Sequence, residues 1–379
     1  MGVASTSNVG RNAGRDNRID VLRGMALITI FINHAPATLW ASYTMGKFGF
    51  SDAAEAFVLM SGIAAGLAYS RGFFAGSVRE TSLHIWRRAG VIYLAHVLSI
   101  IAVISALMGL AFIWPMQPLI KELHVLPFVQ NPAVASGNML LLSYQLGYFN
   151  ILPLYCVLLL VLPLLLRIAR WRLDVLLWLS GALWLVTHLV GLYFPGWPSG
   201  ARWFLNPFGW QLLFVIGLMV GIRKKQARAL VPYNIWLYGA CVLYVAASLW
   251  WQLAGHPALP RHAYLPEFVF DLGKPDLALL RLLHILSLAY IVAYTRWIGW
   301  ALSRPVIMLF GVLGQASLPT FVTGSLLAVF LHMINVVVPY NAFLYTIFLL
   351  AGIAIQYAVA RHSLTYKKRK AKLLGAAIA

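Results

Sequence analysis

Long apolar runs separated by short polar stretches set the rhythm of this chain. Runs of roughly 20 residues, the length that crosses a bilayer as helix, lie near 19–40, 52–70, 90–113, 148–166, 174–194, 207–222, 233–254, 278–295, 306–336 and 342–360, with the ninth interrupted or tilted. Their length and the lack of strict alternation predict an all-α integral membrane protein of about ten transmembrane helices. No polar linker, low-complexity tract or internal repeat divides them. Residues 19–362 therefore read as one polytopic domain between an N-terminal segment, 1–18, and a basic tail, 363–379.

Composition agrees: 61% hydrophobic, 10% charged and a mean hydropathy of +0.80 exclude a domain that faces water on all sides. Charge then orients the spans, because short cytoplasmic loops retain Lys and Arg. With the N-terminus inside, 23 of the 29 basic residues fall on the inner side, leaving Lys47, Lys121, Arg202, Arg261, Lys274 and Arg281 outside. The inner balance is then +19 and the outer balance zero, with both termini cytoplasmic. This changes the meaning of the pI of 10.2. The basic residues are scattered over inner loops as a topology signal, so nucleic acid is not expected as a partner, and the tail YKKRKAK needs only anionic lipid headgroups.

The first span, MALITIFI followed by Ala35-Pro36-Ala37, has the outline of a cleavable leader. The proline at the centre of that site and the polar Asn33-His34 before it favour a retained span instead. Cys156 and Cys241 sit in apolar spans four and seven without metal or disulfide spacing, and read as small buried residues. The longest outer loops, about 114–147, 195–206 and 255–277, are rich in Pro, Gly and aromatics. Loops of that make-up cap cavities or sit at headgroup level.

An ionisable side chain in hydrocarbon costs a few kcal/mol, so each one inside a span pairs or works. In span one, Asp20 and Arg23 are three apart and share a helical face, with Arg18 just below. The bland reading is an inner-surface anchor. His34 follows eleven residues after Arg23, roughly 16 Å further along a helix at 1.5 Å per residue, which places it past the midplane. It is either an interhelical hydrogen-bonder or a base. Span two opens from the outside with GFSDAAEAF, so a short connection brings Asp52 and Glu55 back beside span one, within reach of His34. A carboxylate there would orient the imidazole; equally, both acids fit a helix N-terminal cap. Ser61 and Gly62 read as a close-packing patch. At the outer starts of spans six and eight, Asn206, Trp210, Gln211, Arg281 and His284, with Arg202 just outside, are second-rank candidates for a substrate pocket. Arg is the residue suited to a carboxylate because its planar fork binds both oxygens.

The segments RDNRIDVLRGMALITIFINHAPA and KFGFSDAAEAFVLMSG resemble the OpgC family of bacterial inner-membrane proteins, and YFNILPLY (148–155), NPFGWQLLFVIG and LRLLHILSLAY (280–290) extend the resemblance over most of the chain. The resemblance implies a multi-pass inner-membrane acyltransferase that succinylates osmoregulated periplasmic glucans. It implies acyl-CoA, possibly succinyl-CoA, as co-substrate with no permanently bound cofactor and no metal. It also implies a periplasmic glucan or other envelope glycan as acceptor, with membrane lipid around the protein. By that pattern His34 is catalytic, Asp52 and Glu55 match the family's second acidic segment beside it, and Arg18, Asp20 and Arg23 receive the donor. The residue reading adds Arg281 or Arg202 as the holder of a distal succinyl carboxylate, with His284, Trp210, Gln211 and Asn206 as further substrate contacts. Two rival readings remain at this stage: a transporter that uses the same polar residues as a substrate or proton path, and an assembly subunit in which they only hold helices together.

Overall fold

The computed structural model describes residues 17–36, 39–257 and 266–376; Ala37 and Arg261 lie outside the described residues. The described chain is 77% helix, without strands. Its helices are α1 (Asn17–His34), α2 (Ala53–Phe74), α3 (Val78–Leu110), α4 (Gln117–Glu122), α5 (Leu126–Gln130), α6 (Pro132–Leu140), α7 (Ile151–Trp171) and α8 (Leu173–Val190). There follow α9 (Pro207–Lys225), α10 (Ile235–Leu253), α11 (Leu279–Tyr294), α12 (Arg296–Leu302), α13 (Pro305–Gln315), α14 (Ser317–Val337) and α15 (Ala342–Ala376). Each apolar run read from the sequence overlaps a helix, but α1 ends at His34, short of the run 19–40 read there, while α3 and α15 extend well beyond theirs. Among the described residues, seven helices (α2, α3, α7, α8, α10, α14 and α15) are long and apolar enough to cross a membrane, or eight with α11 and α12 taken as one span bent by 84° at Thr295. The charged start of α1, the basic end of α9 and the shortness of α13 keep those three below that mark.

Glycine decides which helices touch. A Cβ on Gly62 or Gly66 of α2 would lie 2.2 Å from the Phe214 carbonyl oxygen or 2.4 Å from that of Leu218, and one on Gly217 or Gly221 of α9 would strike the oxygens of Leu59 and Ile63 at 2.4 and 2.2 Å. Two small-residue faces spaced four apart thus bring the α2 and α9 backbones into contact, the arrangement that favours helix association in lipid, where burial itself gives no drive. The close-packing role expected for Gly62 holds. The crossing of α1 and α13 is built the same way, with Gly24 against the Phe310 oxygen and Gly314 against that of Asp20.

Around the α2–α9 pair the main core gathers α7, α8 and part of α3 (Leu59, Ile63, Leu158, Leu162, Leu213, Phe214, Leu218). A second core joins the C-terminal half of α3 to α4, α6 and α14 through Ile100, Leu107, Leu119, Met139, Phe149 and Val329. The ninth run is interrupted, as expected, at Ala316. Pro319, three residues into α14, has no N–H with which to carry the ladder back into α13. Thr320, fully buried, donates its hydroxyl to the Leu313 carbonyl that the break releases and to the Ala316 carbonyl, which also accepts its backbone N–H. Cys156 and Cys241 are buried free thiols, as read from sequence.

Replacing Gly217 by Leu is expected to lower stability by at least about 1–3 kcal/mol, the usual cost of overpacking. Gly90→Ala, at an open position of α3, is expected to leave it unchanged. Thermal unfolding of the two variants in detergent measures the difference.

Candidate functional site

The loops between α3 and α7, between α8 and α9 and before α11 cap a cavity. Its volume is about 630 Å³, and its floor is made by Ile30 and His34 of α1, Ala53 and Ala54 of α2 and Phe321 of α14. Its walls carry Glu122, His124, Ser143, Tyr144, Gln145, Tyr148 and Asn150 from one loop, Trp197, Ser199, Arg202 and Trp203 from another, and Lys274 from a third. The loop at 195–203 is tied down: Trp197 N–H donates to the Ser143 carbonyl over 3.0 Å, and its ring meets Tyr144 edge-on at 5.5 Å. Polar donors alternate with aromatic faces around a floor that ends on one imidazole.

His34 is the last residue of α1, at the boundary between helix and cavity. Its Nδ1 is buried and makes no hydrogen bond, which leaves Nε2 as the nitrogen with access to the cavity. Neither Asp52 nor Glu55 hydrogen-bonds to it, so the carboxylate-to-imidazole contact expected from sequence is not formed. Tyr148 packs on it instead, the two ring centroids 4.7 Å apart at 42°. Tyr148 is a bulky residue in left-handed backbone at φ +71°, a conformation that costs about 1–3 kcal/mol and that the surroundings must hold. Burial, and then the charge of Glu122, pushes its phenol above the ordinary range.

Asp52 and Glu55 are occupied by one another and by two cations. Asp52 is the N-cap of α2: its Oδ1 accepts from the Ala54 N–H at 2.8 Å, while its own N–H donates to Glu55 Oε2 at 2.9 Å. Glu55, with no exposed surface, takes Arg281 on Oε1, from Nε at 2.7 Å and Nη2 at 2.5 Å. Asp52 Oδ2 takes Lys274 Nζ at 2.6 Å and Arg281 Nη2 at 3.4 Å. The capping reading therefore holds, within a four-charge cluster that the sequence did not announce. Asp52 and Lys274 face the cavity and Glu55 and Arg281 lie behind them.

The other expected substrate contacts divide. Arg202 lines the cavity, paired with Asp276 and lying 5.8 Å from the Tyr193 ring. Arg281, His284, Asn206, Trp210 and Gln211 do not line it. Asn206 caps α9 and donates to Asp276 Oδ1 at 2.8 Å and to the Leu192 carbonyl at 2.7 Å. Trp210 Nε1 donates to the carbonyls of Lys274 and Pro275, both at 3.0 Å. These two residues anchor the strap that delivers Lys274. Gln211 clamps α8 by accepting from Ser180 Oγ at 2.5 Å and donating to the Ser180 carbonyl at 2.9 Å. His284 Nδ1 accepts the Ser51 backbone N–H at 3.3 Å and lies 2.7 Å from the Ser51 hydroxyl, so it fixes the residue next to Asp52.

At the other end of α1, Asp20 and Arg23 form the expected pair at 3.8 Å, both buried. Arg23 also donates to the Met60 carbonyl of α2 at 3.0 Å and to the Gly314 carbonyl of α13 at 3.4 Å, which makes it a three-helix tie. Arg18 is exposed, beside Gly299 of α12. Sequence reasoning passed over Tyr148, Lys274, Glu122 and His332. For His332, which donates from Nε2 to the His34 carbonyl at 3.0 Å, the signal was present, since it is a lone imidazole in the apolar run LLAVFLHMINVV.

Arg281→Met leaves Glu55 as a buried, unpaired carboxylate and is expected to cost about 3–5 kcal/mol, with Glu55→Leu/Arg281→Met recovering most of the loss. Equal unfolding temperatures for the single and double variants would disprove this account of the cluster.

No curated protein and no solved structure matches the chain. A family model described as OpgC protein matches residues 15–368, nearly its whole length. The match spans the helix that carries His34, the charge cluster on α2 and every loop of the cavity, so this chain belongs to the OpgC family.

Proposed function

We propose that this protein is a multi-pass acyltransferase of the bacterial inner membrane. In this reading it moves an acyl group, succinyl by the family's association, from a cytoplasmic acyl-CoA to hydroxyls of a periplasmic glucan or other envelope glycan. Family membership suggests acyl transfer, and one observation carries the assignment to this site: the imidazole of His34 ends an apolar helix at the floor of a cavity walled by polar and aromatic residues.

The chemistry needs little more. A sugar hydroxyl over the floor gives its proton to His34 Nε2 while its oxygen attacks the thioester carbonyl; the C–S bond breaks and the thiolate leaves with the proton from the imidazolium. The aromatic faces of Trp197 and Trp203 suit the apolar faces of sugar rings, and Asn150, Gln145 and Ser143 suit their hydroxyls. Lys274 and Arg202, each paired with a carboxylate, are the cationic donors on the wall that would orient an anionic acyl group. For the donor, Arg18 is the exposed cation at the start of α1, while Asp20 and Arg23 hold that helix to α2 and α13. About ten spans with both termini inside fit this arrangement, since the basic residues then cluster where coenzyme A would arrive.

The deciding experiment is mass spectrometry of periplasmic glucans from cells carrying wild-type protein or His34→Ala at matched membrane levels. Loss of an acyl mass increment in the mutant alone is expected, and the increment names the group. Glucans acylated equally in both would reject His34 as the base; substrate flux without covalent change would point to transport.

A further inference from the structure

Tyr148 stands between His34 and two groups that the function so far leaves idle. Its hydroxyl lies 3.2 Å from Glu122 Oε1 and 3.1 Å from His332 Nε2, and its ring is packed on both imidazoles, 4.7 Å from His34 and 5.3 Å from His332. His332 Nε2 also faces the His34 carbonyl at 3.0 Å, which can only accept, so Nε2 carries the proton. The single phenolic proton is then available to Glu122, whose Oε1 is 3.7 Å from His332 Nδ1. One bond path thus runs from α4 through Tyr148 to α14 and back to the end of α1.

We propose that Tyr148 is a positioning residue for His34, and that Glu122 and His332 hold Tyr148 in place. The inference rests on the reading of His34 as the base. A catalytic imidazole commonly has a carboxylate or carbonyl on its second nitrogen to fix the ring. His34 has neither on Nδ1, and the nearest acid to its helix end, Asp52, is committed to Lys274. An aromatic face supplies what is missing in two ways. It prevents the ring from turning about its side-chain bonds, so that Nε2 stays aimed into the cavity. It also presents its electron-rich face to the imidazolium formed when the sugar hydroxyl gives up its proton, an attraction that strengthens where water is excluded. The backbone of Tyr148 is held for this purpose, since its left-handed φ turns the side chain toward α1, and Ser325 of α14 donates to its carbonyl at 3.4 Å.

The test uses full-length protein in detergent with succinyl-CoA and isolated periplasmic glucan, and compares Tyr148→Leu, Tyr148→Phe and Glu122→Gln with wild type. Tyr148→Leu is expected to lower kcat at least about tenfold with both KM values within about twofold, because the ring acts on the transition state and not on binding. Tyr148→Phe restores the ring and is expected to recover most of that loss. Glu122→Gln, which weakens one of the two hydroxyl bonds that Tyr148→Phe removes outright, is expected to lose a small part of kcat, no more than Tyr148→Phe does. A kcat for Tyr148→Leu equal to wild type overturns the proposal, as does a loss confined to the acceptor KM, which would make the ring a substrate wall. If the Leu variant is not recovered folded, an unchanged kcat in both Tyr148→Phe and Glu122→Gln overturns it. A wild-type protein that transfers nothing overturns the acyl-transfer reading together with this one, whereas an active wild type with an unaffected Leu variant overturns the positioning role alone.

Discussion

Glu55 has no exposed surface, and its two carboxylate oxygens are used by the Asp52 N–H and by the fork of Arg281. A carboxylate placed so deep in an apolar bundle is tolerable only with a paired cation and all its lone pairs engaged. Much of the molecule is arranged to meet that demand. Arg281 arrives on the first turn of α11, Lys274 on the strap before it, and that strap is pinned by Asn206 and Trp210 at the start of α9. Gly209 lets it lie flat, since a Cβ there would meet the Asp276 oxygen at 2.1 Å. The α2–α9 glycine seam brings the two halves of this assembly together. A cluster built to satisfy one buried acid thereby sets the wall of the cavity.

The cavity inherits an asymmetry from that cluster. On the side of α2 and α11 it is charged but internally paired, and on the side of the loops around Tyr148 and Trp197 it is aromatic and polar. His34 lies on the floor that both sides share. Paired charges can orient an anionic group without being free to move onto it, and an aromatic wall can hold a sugar without strong directional bonds. The same segregation explains why the residues with the strongest sequence signal do not all face the void: a fully satisfied ion pair has no reason to.

Arg281 illustrates both the reach and the limit of sequence reasoning. Its planar fork was read correctly as a carboxylate binder, but the carboxylate it binds belongs to Glu55, 226 residues away. The i,i+3 relations were legible because a helix alone enforces them, as in the Asp20–Arg23 pair and the Asp52–Glu55 cap. Gly62 was legible because small residues in an apolar span have few other uses. Tyr148 was not, since one tyrosine among seventeen carries no mark until its left-handed backbone and its neighbours on α4 and α14 are known.

The sequence by itself determined that the chain is helical and largely apolar, roughly where its long helices lie, and that the first of them carries an imidazole. Those properties follow from hydropathy and from the 3.6-residue period, which act over one or two turns. That His34 ends that helix, that α3 starts at Val78 and that α15 runs to Ala376 came only with the structure. The tertiary structure alone decided which carboxylate meets which cation, and which ring covers His34. It also decided that Asp52 turns to Lys274 and not to the imidazole. Those contacts join residues separated by more than a hundred positions, and in a medium without water the partner of a buried polar group is settled only when the helices carrying them have packed.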